Sequence, residues 1–442
     1  MHKSFFIKTY GCQMNSYDSE KVNDLLLFNG FKKADDLEKT DVAILNTCHI
    51  REKASEKLYS DLGRLSVFKK NKEKLGKKFS IIVMGCVAQA EGEEIISRNN
   101  SVDYVVGPQN IQAIPKLLKN KIFEKIHINF LSEEKFKSLT LSKTNKISSL
   151  ITVQEGCDKF CSFCVVPYTR GAEFSRPVED IYAEVNDVVK KGSAEVTLLG
   201  QNVSSYESVI YDSEEKKLKL GGLCNIISKI PNLKRIRYLT SHPNDIDDNL
   251  INEHAKNKKL MPFLHLPIQS GSDKILKKMN RKHTQKEYLD LIKKIKLAIP
   301  HMAFSSDFIV GYPGETEEDF EKTVSLANKV KFASSYSFIY SARPGTPASV
   351  KKDKINEEIK KKRLNYLQNI LTNHQNEFNQ MTLDKEVEVL ITDFGKKEDQ
   401  YVGRTPHLQP VHVYSSKNLI GKILNIKIER LTSFSFHGKI LN

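Results

Sequence analysis

The chain has 442 residues, of which 39% are apolar and 28% charged, and its formal net charge is +15. This length exceeds what one hydrophobic core usually serves, so we expect two or three domains. No segment approaches the roughly 18 continuous apolar residues of a membrane span, and the amino terminus does not resemble a secretory signal. We therefore expect a cytoplasmic protein without membrane contact, and by default a monomer. The positive charge favours a polyanionic partner, although lysine-rich stretches are as typical of solvated helix faces.

Alternating strands and helices are predicted for residues 1–120. Short apolar runs indicate buried strands at Phe5–Ile7, Val42–Leu45 and Ile81–Met84. Helical patterns occur at Val22–Phe28, Ala54–Leu65 and Gly92–Ser97. Such alternation is typical of a parallel sheet with helices on its faces. Residues 121–142, which are rich in Lys and Ser, are predicted to be a linker.

A second α/β series is predicted for residues 143–373. Its six strands are Leu150–Val153, Glu195–Leu199, Arg235–Leu239, Phe263–Leu266, Ser306–Val310 and Tyr336–Tyr340. Six strand–helix units are too few for a closed eight-fold barrel, so we expect an open, partial barrel. A long polar helix is predicted from Glu357 to Asn379.

The last segment, residues 376–442, changes character. Short alternating strands are predicted at Val387–Ile391, Tyr401–Thr405, Val411–Tyr414 and Ile423–Ile428. Turn residues separate them, which is typical of a small antiparallel barrel.

Three of the seven cysteines lie within one short loop. Cys157, Cys161 and Cys164 follow the first strand of the second domain. Three thiolates on one loop suit a [4Fe–4S] cube whose fourth iron stays open to bind a small molecule. A structural zinc site needs a fourth ligand, and the nearest downstream histidine is His242. A disulfide framework is disfavoured because the count is odd and no secretory signal is present.

A second set of cysteines is dispersed in the sequence. Cys12, Cys48 and Cys86 each come directly after a predicted strand. Because the carboxyl ends of parallel strands lie along one edge of a sheet, we expect the three side chains to meet there. Gly11 and Gly85 permit the tight turns that this requires. The set predicts a second cluster, the alternative being three unrelated buried cysteines.

The motifs around these cysteines resemble the methylthiotransferase family of radical S-adenosylmethionine (SAM) enzymes, and within it the branch that acts on prenylated adenosine in tRNA. The resembling stretches are Tyr10–Asn15, Asn46–Ala54, Gly85–Gln89, Cys164–Gly171, Leu199–Val203, Leu264–Ser272, Ser306–Glu315 and Ser341–Pro347. The last segment resembles a TRAM RNA-binding domain. The resemblance thus implies an α/β protein with an N-terminal open parallel sheet, a central partial (β/α)6 barrel of the radical SAM type and a small C-terminal antiparallel barrel.

The family resemblance also implies an activity. It implies methylthiolation of C2 of N6-(dimethylallyl)adenosine next to the anticodon of tRNA. It implies SAM and two [4Fe–4S] clusters, one on Cys157, Cys161 and Cys164 that exchanges with SAM and an auxiliary one on the dispersed set. The partners would be that tRNA and an unidentified electron donor. Cys224, which falls in an apolar helix, is predicted to be an ordinary core residue.

The SAM contacts implied by the resemblance are less specific. They are Phe163, Glu173, Gln201 and Gly311, with Gly314 beside the last. Glu173 is included because the family usually has Gly-Glu-Glu where this chain has Gly171-Ala172-Glu173. Loop and packing roles remain the alternative for Gln201 and the two glycines.

Several side chains near these motifs have two possible roles each. Arg170 and Arg176 would bind phosphate or the SAM carboxylate, or pair with Glu173 or Glu179. Tyr168 and Phe174 would stack on a base, as in RNA-binding proteins, or pack in a core. His49 replaces a common family Ser and would tune the second cluster through a hydrogen bond.

Other functions compatible with these motifs are also considered. Relatives within the family act on threonylcarbamoyl-adenosine or on an aspartate of a ribosomal protein. A different class is an RNA-binding protein that uses its clusters to sense iron or oxygen. Such a sensor would not cleave SAM.

Overall fold

The computed structural model describes residues 4–49, 52–119, 121–137, 145–211, 215–351, 355–433 and 435–441. These residues form a parallel sheet domain, a partial barrel and a small closed barrel. Among the described helices, none is both long and apolar enough to cross a membrane. The predicted fold class is confirmed.

The first domain is a six-stranded parallel sheet with helices on both faces. Its elements are β1 (Ser4–Thr9), α1 (Gln13–Phe28), β2 (Lys32–Lys33), β3 (Val42–Thr47), α2 (Glu52–Lys74), β4 (Ser80–Gly85), α3 (Cys86–Glu91), α4 (Glu93–Arg98), β5 (Tyr104–Val106), α5 (Ile114–Leu118) and β6 (Ile126–His127). The strand order is β2-β1-β3-β4-β5-β6. Ile44 packs into one core and Leu45 into another, because successive side chains of a strand point to opposite faces. Both faces of the sheet are therefore buried.

Part of the predicted linker, residues 121–142, forms secondary structure. β6 extends the sheet by pairing with β5, and α6 (Ser132–Lys137) carries the fully buried Lys135. Neither element has the apolar periodicity that predicts structure, since β6 has two residues and Lys135 is buried by charge pairing. Helix α1 also starts nine residues before its predicted start at Val22.

The second domain contains all six predicted strands. Its elements are β7 (Ser148–Thr152), β8 (Gln154–Glu155), α7 (Val166–Arg170), β9 (Phe174–Ser175), α8 (Val178–Lys190), β10 (Glu195–Leu199), β11 (Glu207–Tyr211), β12 (Glu215–Lys219), α9 (Leu220–Ser228), β13 (Arg235–Tyr238), α10 (Asp248–Lys256), β14 (Phe263–His265), α11 (Asp273–Lys278), α12 (Gln285–Ala298), β15 (Ala303–Val310), α13 (Glu317–Val330), β16 (Ser334–Ile339) and α14 (Glu357–Gln380).

The six main strands of this domain form an open, partial barrel. β7, β10 and β13 make one parallel sheet, and β14, β15 and β16 make another. A parallel bridge between Ile236 and Leu260 joins the two halves. One apolar core, which includes Val196, Leu264 and Phe308, lies among the strands and the surrounding helices.

The third domain is a closed five-stranded barrel. Its strands are β17 (Glu386–Phe394), β18 (Gln400–Arg404), β19 (Pro410–Tyr414), β20 (Ile423–Leu431) and β21 (Phe436–Ile440). The last strand was not predicted, because its sequence, Phe-His-Gly-Lys-Ile, lacks a clear alternation. It closes the barrel by pairing with β19 and β20.

Two arginines fix this barrel to the amino end of β13. Arg235 donates to the carbonyl oxygens of Arg404 (2.8 Å) and Glu388 (3.1 Å). Arg237 donates to those of Pro406 (2.7 Å) and Thr405 (2.9 Å). The small barrel therefore lies at the amino end of this strand, whereas ligands of parallel sheets bind at the carboxyl ends.

Candidate active site

The three dispersed cysteines meet at one edge of the first sheet. Cys12 directly precedes α1, Cys48 directly follows β3, and Cys86 is the first residue of α3 after β4. The strands that they follow, β1, β3 and β4, are adjacent in the sheet. The predicted placement at the carboxyl ends of neighbouring strands is therefore confirmed.

Two glycines allow this close approach. At Gly11, whose φ is +111°, a Cβ atom would lie 2.2 Å from Cys48 Cβ and 3.1 Å from its Sγ. At Gly85, whose φ is +95°, a Cβ would lie 2.4 Å from Asn46 Oδ1. Both φ values are accessible to glycine at no steric cost. The sequence can therefore bring three chain segments together only with glycine at these turns.

The dispersed thiols lie in a polar environment. A hydrogen bond from Cys48 lowers the pKa of Cys12 to about 6, and the positive charge of Arg170 contributes to the shift. Burial instead raises the pKa of Cys86. The thiolate is the form that binds metal, so the lowered pKa of Cys12 favours that form.

Arg170 links the dispersed set to the second domain. Its Nε atom donates to Cys86 Sγ at 3.3 Å. Its Nη1 atom donates to Glu155 at 2.9 Å and its Nη2 atom to Asp18 at 2.7 Å. Only 2% of the Arg170 surface is exposed. This arginine, at the end of α7, therefore contacts the first domain at one of the three cysteines.

The other three cysteines lie on the loop between β8 and α7. Cys164 N donates to Cys161 O (2.9 Å), and Cys157 N donates to Gly171 O (3.3 Å), so the loop folds back on itself. Arg281 Nη1 lies 3.6 Å from Cys161 Sγ. Burial raises the pKa of Cys157 to about 11 and that of Cys164 to about 12. The raised pKa values favour the neutral thiol at these two positions unless positive charge lies nearby.

Asn280 shapes the same loop from a distant part of the chain. Its Nδ2 atom donates to Phe160 O at 2.8 Å. Phe160 has φ +46°, and its side chain is 53% exposed. A left-handed residue between Cys157 and Cys161 turns the backbone so that Cys161 is buried while the phenyl ring is exposed.

The chemistry of both donor sets fits an iron–sulfur cluster. Each set supplies three thiols, and none of the six cysteines is in a disulfide. Among the described residues, no three His, Cys, Asp or Glu side chains converge on a point where one metal ion could bind. A cube-shaped cluster does not require such a point, because its three thiolates bind three different irons.

Comparison with protein families now places the chain. Residues 151–327 match the Radical SAM superfamily, residues 4–107 the Uncharacterized protein family UPF0004, and residues 382–441 the TRAM domain.

A tRNA-2-methylthio-N6-dimethylallyladenosine synthase of Orientia tsutsugamushi (strain Boryong) is 50% identical over 451 residues, 100% of this chain and 99% of that protein. The enzyme of the same name from Rickettsia felis is 50% identical over 447 residues, 100% of both chains. The chain belongs to this synthase family. The predicted family of methylthiotransferases is thereby confirmed.

Solved structures with the same fold support the architecture. The radical SAM methyltransferase TsrM from Kitasatospora setae matches with a TM-score of 0.58 at 11% identity, covering 79% of this chain and 75% of that one. The cobalamin-dependent SAM radical enzyme OxsB matches with a TM-score of 0.52 at 11% identity, covering 84% and 56%. At such low identity these similarities concern the fold alone.

Two of the predicted SAM contacts in this synthase lie against the cysteine loop. Gln201 Oε1 accepts a hydrogen bond from Gly156 N at 2.6 Å, one residue before Cys157. Glu173 N donates to Asp158 Oδ1 at 3.1 Å, one residue after it. Burial raises the pKa of the Glu173 carboxyl. The Gln201 side chain and the Glu173 backbone therefore contact the loop that carries the predicted cluster.

The other two predicted SAM contacts have packing partners. Phe163 is half-buried and packs against an apolar cluster that includes Met279 and Tyr312. Gly311 N donates to Glu315 Oε2 at 2.7 Å. This carboxylate also binds Arg363 at 2.8 Å. Gly311 thus takes part in a structural hydrogen-bond network.

The structure shows the ion-pair partners of the two arginines for which two roles were predicted. Arg170 pairs with Asp18 and Glu155, and Arg176 pairs with Glu184 at 2.7 Å, rather than with Glu173 or Glu179. The predicted alternative pairing was wrong because the true partners come from segments that are distant in sequence or one helical turn further on.

The remaining side chains of this group divide between packing and exposure. The ring of Phe174 stacks on Phe136 with centroids 5.9 Å apart, whereas Tyr168 is 45% exposed. His49 Nδ1 is buried and has no hydrogen-bond partner in the described part of the chain. Cys224 is fully buried on α9, as predicted.

Proposed function

We propose that the chain methylthiolates C2 of N6-(dimethylallyl)adenosine next to the anticodon of tRNA. The product would be 2-methylthio-N6-(dimethylallyl)adenosine. The observation that carries this proposal is the 50% identity over the whole chain to synthases of that name. The geometry supports it, since the helix that begins two residues after Cys164 ends at Arg170, which contacts Cys86.

The two donor sets would hold two [4Fe–4S] clusters. Cys157, Cys161 and Cys164 would hold the one that exchanges with SAM, and the dispersed set would hold the auxiliary one. The C2–H bond of adenine is neither acidic nor electrophilic, so side-chain acid–base catalysis cannot open it. When bound, the clusters and SAM would supply a 5′-deoxyadenosyl radical and the sulfur and methyl groups to be transferred.

The protein's own task is to position these groups and exclude water. Asn280 and Arg281 fix the loop backbone and one sulfur, and Gln201 fixes the backbone before Cys157. We propose SAM contacts at Phe163, Glu173, Gln201 and Gly311. Cys48, Cys86 and Cys161 are buried, which would limit the access of solvent to a carbon radical.

The TRAM domain would contribute to RNA binding from outside the cysteine site. It is held at the opposite end of β13 by Arg235 and Arg237. Residues 381–442 contain nine Lys and Arg and seven Asp and Glu. Because phosphate contacts depend on cationic side chains, most of the phosphate binding would then come from the more basic remainder of the chain.

The proposal also covers the location, the oligomeric state and the domain boundaries of the protein. We propose a cytoplasmic monomer that receives electrons from a separate donor. The domains would comprise residues 1–120 for the auxiliary cluster, 143–373 for the radical SAM core and 376–442 for RNA binding, with 121–142 between the first two. The family matches lie within these bounds.

An anaerobic assay tests the reaction. The protein is reconstituted with iron and sulfide and mixed with SAM, a reductant and tRNA that carries the prenylated adenosine. The RNA is then digested and the nucleosides are weighed by mass spectrometry. We expect a methylthio group on prenyl-adenosine, lost in both Cys161→Ala and Cys48→Ala, because each set would lose one of three cluster ligands.

Cys224→Ala is the matched control, since Cys224 is buried on α9 away from both sets. It should keep the iron content and the product. Deoxyadenosine release with unchanged tRNA would redirect the proposal to another methylthiolation substrate. No deoxyadenosine and no product, from protein that holds both clusters, would contradict it and favour a sensor.

A further inference from the structure

Two cations and two carboxylates form a closed, buried ring beside the auxiliary cysteines. Arg170 binds Asp18 and Glu155 at 2.7 and 2.9 Å. Lys135 binds the other oxygen of each carboxylate at 2.8 and 2.7 Å. The side chains of all four residues are at most 2% exposed. The ring is therefore complete and carries no net charge of its own.

The ring joins four separate segments of the chain. Asp18 lies on α1, Lys135 on α6, Glu155 on β8 and Arg170 on α7. Buried ion pairs seldom stabilise a protein more than apolar residues of the same size would, because the charges lose their hydration. A contribution to stability alone therefore does not explain why four charged side chains are buried here.

The ring does not use the Nε–H donor of Arg170, which is directed away from the carboxylates. This donor, Nε–H, points to Cys86 Sγ at 3.3 Å. A second link runs through Asn15, whose Oδ1 accepts from Arg170 Nη2 (3.3 Å) and lies 3.6 Å from Cys12 Sγ. The guanidinium is thereby fixed in its plane by two carboxylates while its edge faces the cysteine set.

Hydrogen bonds to ligand sulfurs change the properties of iron–sulfur clusters. They stabilise the electron-rich reduced state, so they raise the reduction potential, and they orient the ligand. We propose that Arg170 is a positioning residue of the auxiliary site, which holds Cys86 Sγ through Nε–H and raises the reduction potential of the cluster bound there. This inference rests on the proposed function, because it requires a cluster on Cys86.

The contact between Arg170 and Cys86 also connects the two cysteine sets, because Arg170 lies close to Cys164 in the sequence. It lies six residues after Cys164, at the end of the five-residue helix α7. Gln109 Nε2 also donates to Arg170 O at 2.7 Å, so both the backbone and the side chain of this residue are fixed to the first domain. The contact therefore sets the distance between the two cysteine sets as well as the environment of one of them.

The test isolates the auxiliary cluster. Cys157, Cys161 and Cys164 are all replaced by Ala in an otherwise full-length chain, which is reconstituted with iron and sulfide. Its midpoint potential is measured by redox titration monitored by electron paramagnetic resonance. Arg170→Lys keeps the charge but lacks Nε–H, and Arg170→Gln with Asp18→Asn removes one charge of each sign so that the ring stays neutral.

We expect both changes to make the midpoint potential more negative. A hydrogen bond to a charged group corresponds to about a tenfold change in the one-electron equilibrium, or ~59 mV. Arg176→Lys is the matched control, because Arg176 is also buried and ion-paired but its partner is Glu184. It should leave the potential unchanged.

Each outcome decides the inference. Unchanged potentials in both Arg170 variants would overturn it and leave the proposed function intact. A parent protein with the three Ala replacements that binds no cluster would overturn the auxiliary site itself, and the inference with it. If Arg170→Lys alone fails to fold by circular dichroism, the potential of the neutral double variant decides.

Discussion

The two cysteine sets of this protein are built in opposite ways. Cys157, Cys161 and Cys164 lie within eight residues, on one loop. Cys12, Cys48 and Cys86 follow three neighbouring strands and are up to 74 positions apart. The first set needs only a correctly turned loop, whereas the second exists only when the sheet is folded. The dispersed set should therefore be more sensitive to changes in backbone packing, and the following predictions test this difference.

The largest effect is expected from Gly11→Ala. The new Cβ would lie 2.2 Å from Cys48 Cβ, on a backbone with φ +111°. Strain and overpacking together should cost about 2–6 kcal/mol and separate Cys12 from Cys48. In reconstituted protein, we expect loss of the iron bound by the dispersed set and retention of the iron bound by the loop. Iron content measured in backgrounds that lack either set distinguishes the two.

Gly30→Ala is the control for the backbone strain. Gly30 also has a positive φ, +86°, but a Cβ there would meet no atom within 4 Å. This variant should lose stability and keep both clusters. Equal loss of iron from the two sets in Gly11→Ala would contradict the distinction between them.

Glu184 tests how far the dispersed set depends on the contact between domains. It lies on α8 and binds Lys21 of α1 and Arg176, each at 2.7 Å. Glu184→Gln would leave two buried cations with weaker partners, which should cost about 3–5 kcal/mol in the free energy of unfolding. Urea unfolding of the cluster-free chain at pH 7 measures this loss. Glu207→Gln, in an exposed pair with Lys217, should change it by less than about 0.5 kcal/mol.

The ion pairs of Glu184 also predict that the stability of the chain depends on pH. Burial raises the pKa of Glu184, but Lys21 and Arg176 outweigh it and bring the pKa to about 2. Because this value is below that of an unfolded glutamate, the stabilisation is present above about pH 4.5 and is lost as the pH falls toward 2. The difference in stability between the native chain and Glu184→Gln should therefore be constant from pH 7 to 5 and begin to shrink near pH 4. A constant difference down to pH 3 would contradict the assigned pKa shift.

Much of the site was predictable from the sequence because it follows from local patterns. Apolar runs followed by cysteine predict strand ends, and parallel strands bring their ends together, so the meeting of Cys12, Cys48 and Cys86 could be inferred. The buried ring could not, since Asp18, Lys135 and Glu155 look like ordinary charged residues. Only the folded chain shows that each has lost its water and found a partner.

The same reason explains the errors in the fold. β6 has two residues and β21 no clear alternation, so their strand structure depends on the neighbours that they pair with. Arg176 was paired with the wrong acid because its partner, Glu184, is selected by burial against Lys21. Local patterns thus predict elements and their order, whereas charge pairing in the interior depends on contacts between distant segments.

The smallest effect is expected at the loop, from Asn280→Asp. Asn280 Nδ2 donates to Phe160 O at 2.8 Å, so the loop set also depends on one residue more than a hundred positions away. Aspartate tolerates the left-handed backbone of this site, φ +58°, but cannot donate. Loss of the hydrogen bond should cost about 1–2 kcal/mol and speed the removal of iron from the loop by a chelator about tenfold. The measurement uses a chain in which the three dispersed cysteines are replaced by Ala.

Asn232→Asp controls for the change of charge on a left-handed asparagine, because Asn232 has φ +68° and lies on an exposed turn. Its iron should be removed at the parental rate. If Asn280→Asp also loses iron at that rate, the loop holds its cluster through local backbone turns alone, and the contrast between the two sets is sharper than the structure indicates. If instead it loses its iron as completely as Gly11→Ala does at the other set, the contrast fails, because both sets then depend equally on contacts between distant segments.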